Sequence, residues 1–379
     1  MMADDTRSPD IILEEIYKKA VYNAKNNKIP STKNFEIEMQ IQTLVKKSTE
    51  LKAVVTVLIT SLVKKIEDPN QDIRLHKIEF EGGYSGRSYD THYITPFLKK
   101  HIPRIAMKES GWLTRSIEQP HPFDRGFPGK IRSKNVKDAF LSLIEKVENG
   151  EVEPDLLLEI LLTKLVSDFN KGNQNIKSKE IVDKKALILE IIRVLNEHFE
   201  CKRSSILPVI AIYSMYQVVI KQISRYKGKE LLPLKSHTTA DIKSDSLGDI
   251  EIKNADGHIF EATEVKYNIK IDEYIILDVI NKISGRGVNR YYILTTAFPE
   301  IKDGEENKVK EMIKSFKQND GCEIVINGVL PTIKYYLRLI EDLEEFISTY
   351  TQNLEKIYQE SSFVSEEHIN VWFDLLNSL

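Results

Sequence analysis

The chain has 379 residues, 41% of them hydrophobic and 29% charged, with a formal net charge of −3. This is the composition of an ordinary globular protein with material for two or three domains, and the charge excludes a general nucleic-acid coat protein while allowing local basic patches. Cys201 and Cys322 make neither a metal motif nor a disulfide framework, no segment approaches the roughly 18 apolar residues of a membrane span, and the acidic opening Met1-Met-Ala-Asp-Asp-Thr-Arg7 lacks a secretory signal, so a cytoplasmic location without a membrane is expected.

Residues 1–70 read as an N-terminal helical region. Ile11, Ile12, Ile16 and Ala20 recur at helix spacing, and a second run, Phe35 to Ile66, carries Leu44, Leu51, Val55, Leu58 and Leu62. Pro30 separates the two, with Ser31 or Thr32 as the expected N-cap. The pair would pack as a hairpin or form a dimer surface. Residues 71–135 change character: Tyr84, Tyr89, Tyr93, Trp112, Phe123 and Phe127 are interleaved with Pro96, Pro103, Pro120, Pro122 and Pro128. Such a loop-rich, basic stretch reads as a functional surface on a scaffold, with Trp112 assigned to packing.

Residues 136–230 read as helical, Ile206 to Ile223 being apolar on most faces and so a central buried helix. Asn170 to Lys179 reads as an exposed loop. Residues 231–330 switch to strands and helices: strands at 247–252 and 258–267, a helix at 272–284, a strand at 291–295, a helix at 305–317 and a strand at 322–326. Residues 331–379 read as C-terminal helices. The expected fold is mixed α/β (α+β), a small mixed sheet with covering helices and a large helical N-terminal portion.

The chemistry concentrates in the hairpin. Gly248-Asp249-Ile250-Glu251-Ile252, the break Asn254-Ala255-Asp256-Gly257 and Glu264-Val265-Lys266 place an acid on one strand and acid-x-lysine on the next. Period-two alternation puts Glu264 and Lys266 on one face. A turn centred near Ala255 and Asp256 sets Asp249 across from about Ala262, diagonal to Glu264 at roughly 7–8 Å, a span one metal ion and its waters can bridge. Asp249, Glu264 and the carbonyl of Val265 would hold Mg²⁺, with Lys266 beside the attacking water. On a solvated strand the same residues would be a plain polar face. Face parity picks Asp249 over the competing acids Asp245 and Glu251 as the partner of Glu264, and His237 is a secondary candidate, either a general base or a structural hydrogen-bonding group.

The acid followed by Glu-x-Lys on a hairpin, then a helix and a strand, resembles the PD-(D/E)XK nuclease core. Glu81-Gly-Gly-Tyr-Ser-Gly-Arg-Ser-Tyr-Asp90 and Lys108-Glu-Ser-Gly-Trp-Leu-Thr-Arg-Ser-Ile-Glu-Gln-Pro-His121 extend the resemblance to type II restriction endonucleases of the SacI type, from about Asp72 to about Tyr336. One departure is that Gly248 stands where the motif name has proline. The resemblance implies a PD-(D/E)XK-type mixed β-sheet core and Mg²⁺-dependent cleavage of double-stranded DNA at a short, palindromic sequence. It implies Asp249, Glu264 and Lys266 as the catalytic set, a homodimer, a bacterial or archaeal host and a cognate DNA methyltransferase as genetic partner. Arg87, Arg115, Gln119, His121, Lys130 and Arg132 are the candidate DNA-binding residues, since arginine can fork onto guanine, glutamine can pair with adenine and lysine can neutralise phosphate. Gly82, Gly83 and Gly86 would let backbone approach DNA or simply form a turn. A nuclease of repair or of modified DNA, and a non-catalytic DNA-binding module, are the alternatives.

Overall fold

The computed structural model of the chain describes residues 7–177, 186–234 and 246–379. It divides into two compact units, Met1–Ser178 with Gln359–Ser362, and Lys179–Tyr358 with Phe363–Leu379. The helices expected across 136–230 fall partly in one unit and partly in the other. Among the described residues no helix is long and apolar enough to cross a membrane.

The first unit is helical. In α1 (Pro9–Lys25), Pro9 opens the helix where its missing N–H is no loss, and Ile12, Leu13, Ile16 and Ala20 are buried. Ile11, expected on that stripe, is exposed. The N-cap of α2 (Phe35–Lys46) is Asn34, not Ser31 or Thr32: its Oδ1 accepts from Glu36 N at 3.0 Å and Ile37 N at 3.4 Å. The run expected to continue to Ile66 breaks there, and α3 (Lys52–Glu67) begins a separate helix buried along Val54–Val63. Two short helices, α4 (Gly86–Tyr89) and α5 (Thr95–His101), flank a π-helical turn at Asp90–Ile94. The helices α6 (Lys134–Glu148) and α7 (Pro154–Lys177) complete the unit, α7 packing against α1 and α3. Because α7 runs to Lys177, Asn170–Lys177 is helix and not the expected loop; Ser178 and Lys179 lie outside the described residues.

The loop-rich segment does not display its aromatics. Tyr84, Trp112, Phe123 and Phe127 are buried. The His76 ring stacks on Phe123 at 3.9 Å and its Nδ1 accepts from Trp112 Nε1 at 3.3 Å, while Phe123 meets Phe127 and Phe140 edge-on. Gly86 is needed inside this core, since a Cβ there would lie 2.5 Å from the Trp112 ring. A stretch with no helical or strand period thus supplies aromatics to the core it shares with the helices of this unit.

The second unit is mixed α/β. It contains α8 (Ile188–Phe199), α9 (Ile206–Gln222), β1 (Glu230–Leu231), β2 (Ile250–Lys253), β3 (Ile259–Lys266), α10 (Glu273–Ile283), β4 (Arg290–Thr295), α11 (Glu306–Asp320), β5 (Glu323–Gly328), α12 (Val329–Leu337), α13 (Leu343–Glu360) and α14 (Glu366–Asn377). The five strands form one sheet in sequence order, antiparallel from β1 to β3 and parallel from β3 to β5. The crossovers α10 and α11 permit the parallel pairs. As expected, α9 is buried on nearly every face.

The strand β3 is clamped from both faces. On one, Thr263 meets the Tyr216 hydroxyl at 3.3 Å, and Glu261 accepts from Arg225 and Tyr226, each at 2.8 Å. On the other, Ala262 joins a core built from Ile276, Val279, Ile283, Tyr291 and Ile293. The catalytic candidates sit at the end of this second face.

Candidate active site

The hairpin register determines what meets Glu264. Ile250 pairs with Thr263, Glu251 with Ala262 and Ile252 with Glu261, so one further step sets Asp249 against Glu264. Asp249 is therefore expected opposite Glu264 and not diagonal to it. The cause is at the turn: Gly257 takes φ +89°, Asn254 N donates to His258 O at 2.9 Å, and the register slips between Ile252 and Lys253. The bulge absorbs the residue that an even turn would have shared. Gly248 allows the close entry of β2, because a Cβ there would lie 2.7 Å from Thr263 O.

Asp249 Oδ2 accepts from Val265 N at 2.8 Å, tying the carboxylate to the backbone between Glu264 and Lys266. Glu264 is more heavily engaged. Lys266 Nζ lies 2.9 Å from its Oε1, and Lys282 Nζ, from α10, 3.0 Å from its Oε2. The Tyr291 hydroxyl lies 2.7 Å from Leu247 O and 3.1 Å from Glu264 Oε2; with one proton to give, it favours the nearer carbonyl. Burial alone would raise the Glu264 carboxyl, but the Lys282 and Lys266 ammoniums outweigh it and hold the group below the ordinary carboxylate range. Burial and the Glu264 charge push the Tyr291 phenol well above its usual value, so it stays protonated.

The competing acids separate by environment and not by face. Alternation puts Asp249 and Glu251 on the same face, so parity does not choose between them. Glu251 is buried, and its Oε1 accepts from Leu247 N at 2.5 Å and Ser246 Oγ at 3.3 Å, closing the loop that leads into β2. These bonds tie Glu251 to the entry of the hairpin. Asp245 and His237 lie outside the described residues.

The donor set suits a hard divalent cation. Asp249 and Glu264 are carboxylates on adjacent strands, and Mg²⁺ takes few protein ligands and completes its shell with water and phosphate oxygens. Among the described residues no cluster of three or more acids, histidines or cysteines forms a self-sufficient metal site. A cation at Glu264 must compete with two lysine ammoniums already on its oxygens.

The DNA-binding candidates all lie in the first unit. Arg87 pairs with Glu118 at 3.5 Å, Gln119 Nε2 donates to the Arg115 carbonyl at 2.5 Å, and His121 Nδ1 lies 3.1 Å from Pro122 O. Arg115, Lys130 and Arg132 are exposed. The two segments that carry the family resemblance are joined through a buried acid: Asp90 accepts from Ser110 Oγ at 2.6 Å, Gly111 N at 2.7 Å and Thr95 Oγ1 at 2.8 Å. Gly86 and Gly83 meet protein atoms closely, so their smallness serves internal packing.

Comparison with known proteins finds no matching family model and no similar curated protein. Sequence reasoning missed Lys282 and Tyr291. Tyr291 carried a weak signal, a polar hydroxyl on the inward face of an apolar strand. Lys282 carried none, since its contact with Glu264 depends on how α10 lies against β3.

Proposed function

We propose that this chain is a type II restriction endonuclease with a PD-(D/E)XK-type core, possessing Mg²⁺-dependent activity on double-stranded DNA at a short specific sequence. The observation that carries the reading is the convergence of Asp249, Glu264 and Lys266 at the β2–β3 pair of a mixed sheet with parallel crossovers. Asp249, Glu264 and the Val265 carbonyl would hold Mg²⁺. When bound, that ion supplies Lewis acidity to the scissile phosphate and lowers the pKa of a water. Lys266 brings a fixed positive charge to the same strand face, where it orients the attacking water and offsets charge developing on phosphorus. Lys282 restrains the second oxygen of Glu264, with the Tyr291 hydroxyl 3.1 Å from it.

The reading extends to a homodimer in a bacterial or archaeal cytoplasm, with a cognate methyltransferase protecting host DNA. One observation favours a second reading: Glu264 between two lysines would also serve as an ion-pair network fastening α10 to β3, in a non-catalytic DNA-binding protein. Incubating the purified protein with Mg²⁺ and unmodified phage DNA separates the two. Discrete fragments with one sequence at their ends are expected. Cleavage confined to modified DNA, or an unordered smear, would point to another kind of nuclease, and no Mg²⁺-stimulated cleavage of any duplex would leave the ion-pair network as the account.

A further inference from the structure

The first unit contains a cavity of about 560 Å³ beside the start of α3, lined by Lys52, Lys130, Arg132, Thr114 and Ser116 among others. The acid that lines it, Glu50, pairs with Lys47 at 3.2 Å. Three cationic side chains and three hydroxyls, that of Thr49 included, therefore share one concavity with a single carboxylate that already has a lysine partner.

Such an arrangement is unfavourable by itself. Like charges in a concave, partly desolvated place repel, and low-dielectric walls strengthen the field they make. Lys52 is the half-buried member of the set: burial, with the charge of Arg104 outside the cavity adding to it, pulls its ammonium down to about 8, while Lys130 and Arg132 are exposed. Its Nζ has the Ala106 carbonyl at 3.3 Å, a neutral acceptor. A multiply charged anion would relieve the repulsion, and hydroxyls beside lysine and arginine suit phosphate oxygens.

We propose that this cavity is a phosphate-binding site, taking either a backbone phosphate of DNA or the phosphate group of a small molecule. It stands on the cavity alone and holds whether or not the β2–β3 hairpin cuts DNA.

The test uses the full chain, Lys52→Met and Arg132→Gln, with inorganic phosphate, tripolyphosphate and a duplex oligonucleotide as probes. Thermal unfolding reads the small anions and fluorescence anisotropy reads the duplex. Tripolyphosphate should raise the unfolding midpoint of the wild type and not of Lys52→Met, whose unliganded form should melt at or above the wild-type midpoint because a half-buried charge is gone. Arg132→Gln, an exposed position, guards against a folding defect and should weaken binding about tenfold. Duplex binding weakened by both substitutions assigns the site to DNA backbone; small-anion binding without a duplex effect assigns it to a phosphorylated small molecule. If no probe binds, or every probe binds the variants as it binds the wild type, the proposal is overturned.

Discussion

Gly248→Ala perturbs the hairpin at one defined point. The added Cβ would lie 2.7 Å from Thr263 O and 3.1 Å from its carbonyl carbon, and backbone cannot rotate aside as a long side chain can. The strands must part at the residue next to Asp249. Forcing a methyl into such a place costs about 1–3 kcal/mol. Parting the strands also lengthens the 2.8 Å bond from Val265 N to Asp249 Oδ2, a charge-assisted bond of the kind that contributes about 1.5–3 kcal/mol. Amide hydrogen exchange at Val265 reads that bond directly, and a local loss of about 2 kcal/mol accelerates it roughly thirtyfold. Gly257→Ala is the control: its φ of +89° makes the substitution strain the turn while leaving the β2 entry clear. Val265 exchange in Gly248→Ala within about twofold of the wild type would refute the reasoning.

Other consequences follow from buried charges. His198 is fully buried between the Tyr350 hydroxyl and the His368 carbonyl, and burial pulls its pKa from 6.5 down to about 4. The folded state keeps it neutral while the unfolded chain protonates, so its contribution to stability is complete above pH 6.5 and declines as pH falls towards 4. Between pH 6.5 and 5 this amounts to about 1.5 kcal/mol, and His198→Asn should flatten that part of the pH profile in chemical denaturation; an unchanged slope would contradict the burial argument. At the hairpin, Lys282→Gln removes a partly exposed ammonium that competes for Glu264, so Mn²⁺ titration followed by electron paramagnetic resonance should show roughly fivefold tighter binding, and weaker or equal binding would count against the competition.

Legibility in the sequence tracked local pattern. The elements from β2 to β5 lie within a few residues of their expected bounds because apolar alternation and Asn-Ala-Asp-Gly punctuation are local signals. The expected pairing of Asp249 was off by two positions: one because the turn centres on Asp256, the other because of a bulge at Ile252 and Lys253, and neither has a signature in the residues themselves. Face parity failed to separate Asp249 from Glu251; only hydrogen bonding to Leu247 and Ser246, which ties Glu251 to the hairpin entry, sets it apart. Lys282 was invisible since helix-to-strand contact is tertiary. In the first unit, Trp112 is buried as its packing assignment expected, whereas Phe123 and Phe127 looked like surface because they lie among prolines and glycines without periodicity; aperiodic chain can still bury aromatics when its polar groups are met from within, as Asp90 meets Ser110 and Gly111.

The central claim is that the β2–β3 hairpin is a cleavage centre. Cleavage of plasmid and phage DNA in Mg²⁺ by the wild type, Glu264→Ala and Lys266→Ala, with duplex binding measured in parallel, tests it most directly. Each substitution is expected to lower cleavage on the order of a hundredfold or more while leaving duplex binding largely intact. Full cleavage by either variant would contradict the account.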